Sequence, residues 1–400
     1  MKEKYIDLLV NKCLNFSKSN SLFISCDKVN KDFVNELIEK IDKEKVSDIY
    51  IDMNDIFQKH DKLKSMSLDE IEHDKYFDKS IWDEYAKKDA AFLMIDTEFP
   101  HVMDDIEPEK ITKAAEIARK SRPIFRRKES TMEISWCIAA VANEIWAKDI
   151  FKDDSNAYQK LEELIYKCCM VDQENPIERW NNYLKKSEEL ANKLNNLKIE
   201  SLHYKNSLGT DLNIELPKNV IWQSAASEAN FDCIVNMPTY EIFTSPNYKG
   251  TNGIVYNALP LMYGGKLVDK FSIEFKDGKA VNWKAESGEE ILKGIIEGDE
   301  RSSYLGEVAL VNHNSPISNT GVIFGTTLFD ENASCHLALG DGFPECIKNG
   351  SKMSKEELLN HGINQCPNHV DFMVGTSDLE IEAKTKDGII KIFENGNFVI

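Results

Sequence analysis

The sequence predicts an α/β N-terminal domain followed by a mainly antiparallel, β-rich α+β C-terminal domain. Three observations carry that prediction. Residues 1–200 alternate helix-periodic segments with short β-prone runs, the pattern of a parallel sheet with helices on its faces. Residues 201–400 change character, with short β-prone runs punctuated by Gly, Asn and Pro. At 400 residues the chain is also too long for one ordinary core, which fits two domains.

In the first half, residues 1–20 read as helical, SLFISC (21–26) as a strand and residues 29–45 as helical again. VSDIYIDM (46–53) and AAFLMI (90–95) follow as strands, then a helix over 107–120 and a short strand at RPIFRR (122–127). From Thr131 to about Leu197 the pattern is almost wholly helical, with WCIAAVANEIWA (136–147) a buried helix and Pro176 near a break. Trp136 and Trp146 on this stretch read as core anchors. No GxGxxG or GxxxxGK[ST] is present, so nothing marks a cradle for nucleotide phosphates.

The second half offers strands at LKIESLHY, DLNIEL, FDCIVN, GIVYNA, KFSIEFKDGKAVNWKA, GEVALV, GVIFGTTLF, HLALG, VDFMVG and IIKIFENGNFVI. KDGK and ENGN are hairpin-turn signals within them, and helices interrupt near 287–297 and 354–361.

Charge and cysteine usage narrow the function. The net charge is −19, from 68 acidic against 49 basic residues, and an excess this large repels a phosphate backbone. Nucleic acid is therefore excluded as the main partner, whereas metal cations or a substrate ammonium group suit the field. No run approaches the roughly 18 apolar residues of a membrane span, and the first 20 residues lack the apolar core of an export signal. Nine cysteines, an odd number without a repeating frame, indicate a reducing compartment, so the expected location is the cytoplasm.

Metal-capable side chains gather in the second half. In His369-Val370-Asp371, residues two apart on a strand share a face, so both polar groups can point at one ion while Val370 packs behind. His336 opens HLALG, Glu307 lies in LGEVALV and Glu241 in NMPTYEIFTSP, each at an apolar β-prone run. A carboxylate buried unpaired in such a strand costs several kcal/mol, so it calls for a partner, and a metal is one. Taken singly, each has a plainer explanation as a solvent-face acid or a hydrogen-bonded core histidine. Together, five oxygen and imidazole donors spread over four strand-like segments suit zinc, cobalt or manganese, and shared carboxylates hold ion pairs. A sulfur alternative uses Cys335, Cys346, Cys366 and His369, but it lacks the two tight pairs of a structural zinc site.

The segments NMPTYEIFTSP, LGEVALV, DENASCHLALG and NHVDFMVG, in that order, resemble the signature segments of the aminopeptidase T family of metalloaminopeptidases, with aminopeptidase S and PepS. The resemblance is strongest over roughly residues 220–376. It implies metal ligands at Glu241, Glu307, His336, His369 and Asp371, with Glu307 or Glu241 as a proton shuttle. It further implies two cocatalytic divalent ions, short peptide substrates and a homodimer. One position departs from the family. A tyrosine counted among its functional residues falls at Phe343, which keeps the ring and loses the hydroxyl. An active aminopeptidase and a catalytically impaired, metal-binding homologue acting in peptide binding both remain open at this point.

Overall fold

The computed structural model describes residues 1–224, 226–227 and 233–400, with the side chains of 226 and 227 not described. The chain divides into two compact units. The first comprises Met1–Trp180, Ala226–Pro238 and Gly264–Lys266, and the second Asn181–Ala225, Thr239–Tyr263 and Leu267–Ile400.

The first unit is an α/β layer structure. Strands β1 (Ser21–Asp27), β2 (Asp48–Asn54), β3 (Ala91–Asp96) and β4 (Trp136–Ala140) pair in parallel. With Asn236–Met237 parallel to β4, the order across the sheet is Asn236–Met237, β4, β3, β1, β2. Helices at Lys31–Lys40, Pro108–Lys120 and elsewhere supply the crossovers that parallel strands need. Phe23, Trp82, Phe92 and Phe125 form an aromatic core against this sheet, each at most 4% exposed, with half-buried Trp136 packed on its rim.

Several local expectations are corrected. RPIFRR is not a strand but part of the helix Pro123–Ser130. Proline fits the first turn of a helix, and Asp83 caps that turn from a distance, accepting from the amides of Ile124 (3.2 Å) and Phe125 (2.8 Å). WCIAAVANEIWA is not one buried helix. Its first five residues are β4, and Asn143 then caps the helix Glu144–Phe151 by accepting from the amides of Ile145 and Trp146. A short apolar run reads equally well as buried helix or parallel strand, and here long-range pairing with β3 decides. The helical reading of residues 1–20 ends early. A helix at Lys2–Leu8 loosens into a wider turn at Leu9–Cys13, and Leu14 is extended. Of the predicted strand 231–236, residues 231 and 232 lie outside the described residues. Asn236 joins the parallel sheet of the first unit.

The second unit is antiparallel. A nine-stranded sheet runs Leu261–Tyr263, Lys266–Lys276, Thr251–Tyr256, Asp211–Glu215, Ser201–Lys205, Glu380–Thr385, Gly388–Glu394 and Asn397–Phe398, with Lys279–Ser287 also paired to Lys266–Lys276. Two of its tight hairpins turn on Asp277-Gly278 (φ 49° and 83°) and Asn395-Gly396 (φ 50° and 70°). Both pairs have the double positive φ that matches strand twist, as KDGK and ENGN predict. A five-stranded sheet comprises Gln223–Ser224, β5 (Ile242–Thr244), β6 (Leu305–Leu310), β7 (His336–Gly340) and β8 (His369–Met373), in the order β8-β7-β6-β5-(223–224). Leu212, Phe271, Ile273, Val308, Leu337, Phe372 and Ile381 from the two sheets share one core.

GVIFGTTLF is not a strand. The buried Asp330 carboxylate accepts from the amides of Phe324 (3.0 Å) and Gly325 (2.9 Å), folding the segment back onto the short helix Thr327–Asp330. Among the described residues, no helix is long and apolar enough to cross a membrane.

Candidate metal centre

The five-stranded sheet gathers the polar residues that its apolar strands carry. Glu241 immediately precedes β5, Glu307 lies within β6, and His336 and His369 open β7 and β8. Antiparallel register sets Glu307 opposite Ala338, Ala338 opposite Asp371 and His336 opposite Ala309. Small residues thus stand between the functional ones, which leaves room for them on one face. The register shifts between Leu305 and Glu307, an irregularity of the kind that re-aims side chains.

Glycine is required beside the site. A Cβ on Gly306 would stand 2.0 Å from the Asp341 carbonyl oxygen, and one on Gly340 (φ +107°) would stand 2.1 Å from that of Asn368. This close approach puts the Asp341 carbonyl where it accepts from His369 Nδ1 at 2.9 Å. His336 Nδ1 likewise donates to the carbonyls of Glu331 (2.9 Å) and Ser334 (3.1 Å). Both imidazoles therefore turn Nε2 inward, the tautomer a metal ligand needs.

All five residues named in the sequence come together. His336 Nε2 lies 3.1 Å from Glu241 and 4.0 Å from Glu307, and His369 Nε2 lies 3.1 Å from Glu307 and 3.2 Å from Asp371. Donor atoms within 4.8 Å of one another fall into three groups: Glu241–Glu307–His336, Glu307–His369–Asp371 and Glu331–His336–Asp371. Glu307 belongs to the first two groups, Asp371 to the last two and His336 to the first and third. Among the described residues no cysteine joins such a group, and Cys335 instead bonds the backbone of Val311.

Glu331 was missed by sequence reasoning. It sits on a turn, Glu331–Ala333, where no strand alternation marks it. The one available signal was its place five residues before His336 in DENASCH. Asn332 fixes it. Its side chain accepts from the Tyr240 amide (2.6 Å) and donates to Leu328 O (2.9 Å) and Glu331 Oε1 (3.3 Å). One fully buried amide therefore ties the Glu331 turn to the segment that carries Glu241.

Phe343 lies at the same place. Its ring packs between Phe243 (5.2 Å between centroids) and His369 (5.0 Å). His369 is the most open of the five, with 27% of its side chain exposed, against 5% for Glu307 and 1% for His336.

Whether these residues suit a divalent ion is a question of charge. Four carboxylates and two imidazoles converge, and the ion-pair partners of Glu241, Glu307 and Asp371 among the described residues are the imidazoles alone. Burial pushes the Glu307 carboxyl up to about 7, and holds Glu331 well above the carboxylate range with Asp371 and Glu241 adding to the rise. Burial disfavours charge on His336 and His369 as well. Yet Glu241 raises His336, and Asp371 and Glu307 raise His369, well above the ordinary imidazole value. Burial likewise opposes the charge of Asp371, but His369 outweighs it and brings that carboxyl down to about 2. The pocket is short of positive charge, and its donors are the oxygen and imidazole set of zinc, cobalt or manganese. The residues fit.

This donor set is one that metal-dependent hydrolases use. Residues 1–398 match the model of the thermophilic metalloprotease (M29) family. The chain belongs to that family and is a peptidase hydrolase. It is 35% identical to aminopeptidase AmpS of Bacillus subtilis (strain 168), with 98% of this chain and 97% of that protein covered. It is 34% identical to aminopeptidase 2 of Geobacillus stearothermophilus over 99% and 97% of the two chains. The solved structure of wild-type AmpT from Thermus thermophilus superposes with a TM-score of 0.91 at 28% identity, covering 100% of this chain and 99% of that one.

Proposed function

We propose that the protein is a metal-dependent aminopeptidase with a cocatalytic pair of divalent ions held by Glu241, Glu307, His336, His369 and Asp371. The observation that carries this reading is the sharing of Glu307 between two donor groups, one with Glu241 and His336 and the other with His369 and Asp371. A carboxylate placed between two groups is the usual means of holding an ion pair. Divalent ions bound there supply Lewis acidity, which polarises a scissile carbonyl, lowers the pKa of water and holds a free α-amino group.

The chain's own residues supply the rest. The carbonyls of Asp341, Glu331 and Ser334 orient the two imidazoles. With Glu241 and Glu307 both among the residues that would hold the ions, Glu331, beside His336 and Asp371, is the carboxyl left to carry a proton in place of the shuttle expected at Glu307 or Glu241. The nine buried cysteines, none in a disulfide, support a reducing compartment such as the cytoplasm. A homodimer, which the family resemblance implies, is tested by sizing chromatography with crosslinking.

A second reading, a metal-binding but catalytically impaired homologue, is favoured by one feature: the ring on His369 is that of Phe343, without a hydroxyl. Metal analysis combined with hydrolysis of leucine p-nitroanilide in Co²⁺, Zn²⁺ or Mn²⁺ separates the two. Two ions per chain with turnover supports the enzyme, and two ions without turnover the impaired homologue. A His369→Ala, Asp371→Ala variant that keeps full metal content would sink both.

A further inference from the structure

Of the five proposed ligands, Glu241 alone lies outside the strands of the five-stranded sheet. It immediately precedes β5, whose pairing with β6 begins at Ile242 opposite Leu310. Side chains hold its backbone instead. The peptide group joining Tyr240 to Glu241 carries the Tyr240 carbonyl, and Tyr183 Oη donates to that carbonyl at 3.1 Å. On the other side of the same residue, the Tyr240 amide donates to Asn332 Oδ1 at 2.6 Å. The Tyr183 ring also packs edge-on against that of Tyr240, 5.2 Å between centroids at 80°. The hydroxyl of Thr239, the buried residue before, bonds no partner.

Tyr183 stands on a fixed support, the helix Pro176–Leu197. Near the end of that helix Asn195 exchanges two hydrogen bonds with the Trp222 backbone. Its Nδ2 donates to the Trp222 carbonyl at 3.0 Å, and the Trp222 amide donates to its Oδ1 at 2.8 Å. Trp222 leads directly into Gln223–Ser224, which pairs with β5. Tyr183, Asn195, Trp222 and Tyr240 all belong to the second unit. Burial and the nearby Glu241 charge hold the Tyr183 phenol well above its ordinary pKa, so the hydroxyl keeps the proton it donates. Pinning the oxygen of a peptide plane fixes the plane from which the φ of the next residue is measured. Tyr183 thereby governs the direction in which the Glu241 side chain leaves the backbone.

We infer that Tyr183 is a positioning residue for Glu241: its hydroxyl, acting through the Tyr240 carbonyl, aims the Glu241 carboxylate at Glu307 and His336. The inference rests on the metal-centre reading above. The Glu241 carboxylate lies 3.1 Å from His336 Nε2, so a small rotation at its backbone moves it out of that group. A residue that orients a ligand in this way sets ion affinity without touching the ion.

Ion binding to the metal-free full chain tests this without requiring turnover, with Co²⁺ as the probe and calorimetry and visible absorption following each ion. Tyr183→Phe keeps the ring and removes only the hydroxyl. The binding step missing from Glu241→Gln identifies the position that Glu241 serves. In Tyr183→Phe that step should weaken at least about tenfold, while the other keeps its affinity. Added to Glu241→Gln, Tyr183→Phe should change nothing, because the carboxylate it positions is already gone. Unchanged affinities in Tyr183→Phe overturn the inference. Equal weakening of both ions, or an effect that persists in Glu241→Gln, also overturns it, because either assigns Tyr183 to general structure. Circular dichroism confirms folding, and Tyr183→Leu serves should Tyr183→Phe not fold. A parent that binds no Co²⁺ sinks the metal reading and the role of Tyr183 with it. Two ions bound alike by the parent and Tyr183→Phe sink only the role of Tyr183. If the parent takes up one ion, the pairing fails, and the comparison with Glu241→Gln still decides for Tyr183.

Discussion

The ring of Phe343 lies 5.0 Å, centroid to centroid, from the imidazole of His369 and is tilted 51° to it. An aromatic side chain thus closes the more open end of the donor cluster, at the position where the family resemblance places a tyrosine. If that hydroxyl helps to hold a developing oxyanion, Phe343→Tyr should raise kcat by about 10²–10³-fold, the usual effect of one such donor. Metal content should stay unchanged, because the proposed ligands remain. Steady-state kinetics on leucine p-nitroanilide checks this, and equal rates for the two proteins would show that catalysis here does not need the hydroxyl.

Asn332 links two ligand-bearing segments by accepting from the Tyr240 amide and donating to Glu331. Asn332→Ala should weaken divalent metal binding by about 10–100-fold, as loss of a group supporting ligands usually does. It should also cost about 1–3 kcal/mol of stability, because it orphans a buried amide. Metal titration and thermal denaturation of the same variant measure both effects.

Glu129 in the first unit gives a pH dependence removed from the metal centre. Burial raises its carboxyl from 4.5 to about 7, with Arg122 and Arg126 opposing the rise. The folded state therefore holds this proton more tightly than the unfolded chain does. The stabilisation is fully present below about pH 4.5 and is lost as pH rises through about 7. Since the side chain is half-buried, the change should be about 1–2 kcal/mol. Melting temperatures followed from pH 5 to 8 should fall less steeply in Glu129→Gln than in the parent. Parallel curves would remove Glu129 from the account.

Alternation and turn chemistry made much of the second unit legible. HVDFMVG, HLALG and LGEVALV are apolar strands carrying polar residues that a core does not tolerate alone, so Glu307, His336, His369 and Asp371 are legible in the sequence. Glu331 was hidden because a turn has no periodicity to break. RPIFRR misled because its helix start is completed by Asp83, some 40 residues away in the chain. WCIAA misled because only pairing with β3 separates a parallel strand from a buried helix. GVIFGTTLF looked β-prone, yet the single carboxylate of Asp330 drew its backbone into a turn. The three misread segments turn on a contact distant in sequence or on a side chain acting on backbone, neither of which local patterning records.

In the proposed centre Glu307 would join two ion positions. Metal analysis of Glu307→Gln beside Glu241→Gln tests it most directly, with circular dichroism to confirm folding. The account predicts about two ions per chain in the parent, one retained in Glu241→Gln, and both lost or greatly weakened in Glu307→Gln. A Glu307→Gln protein that still binds two ions as tightly as the parent would contradict it.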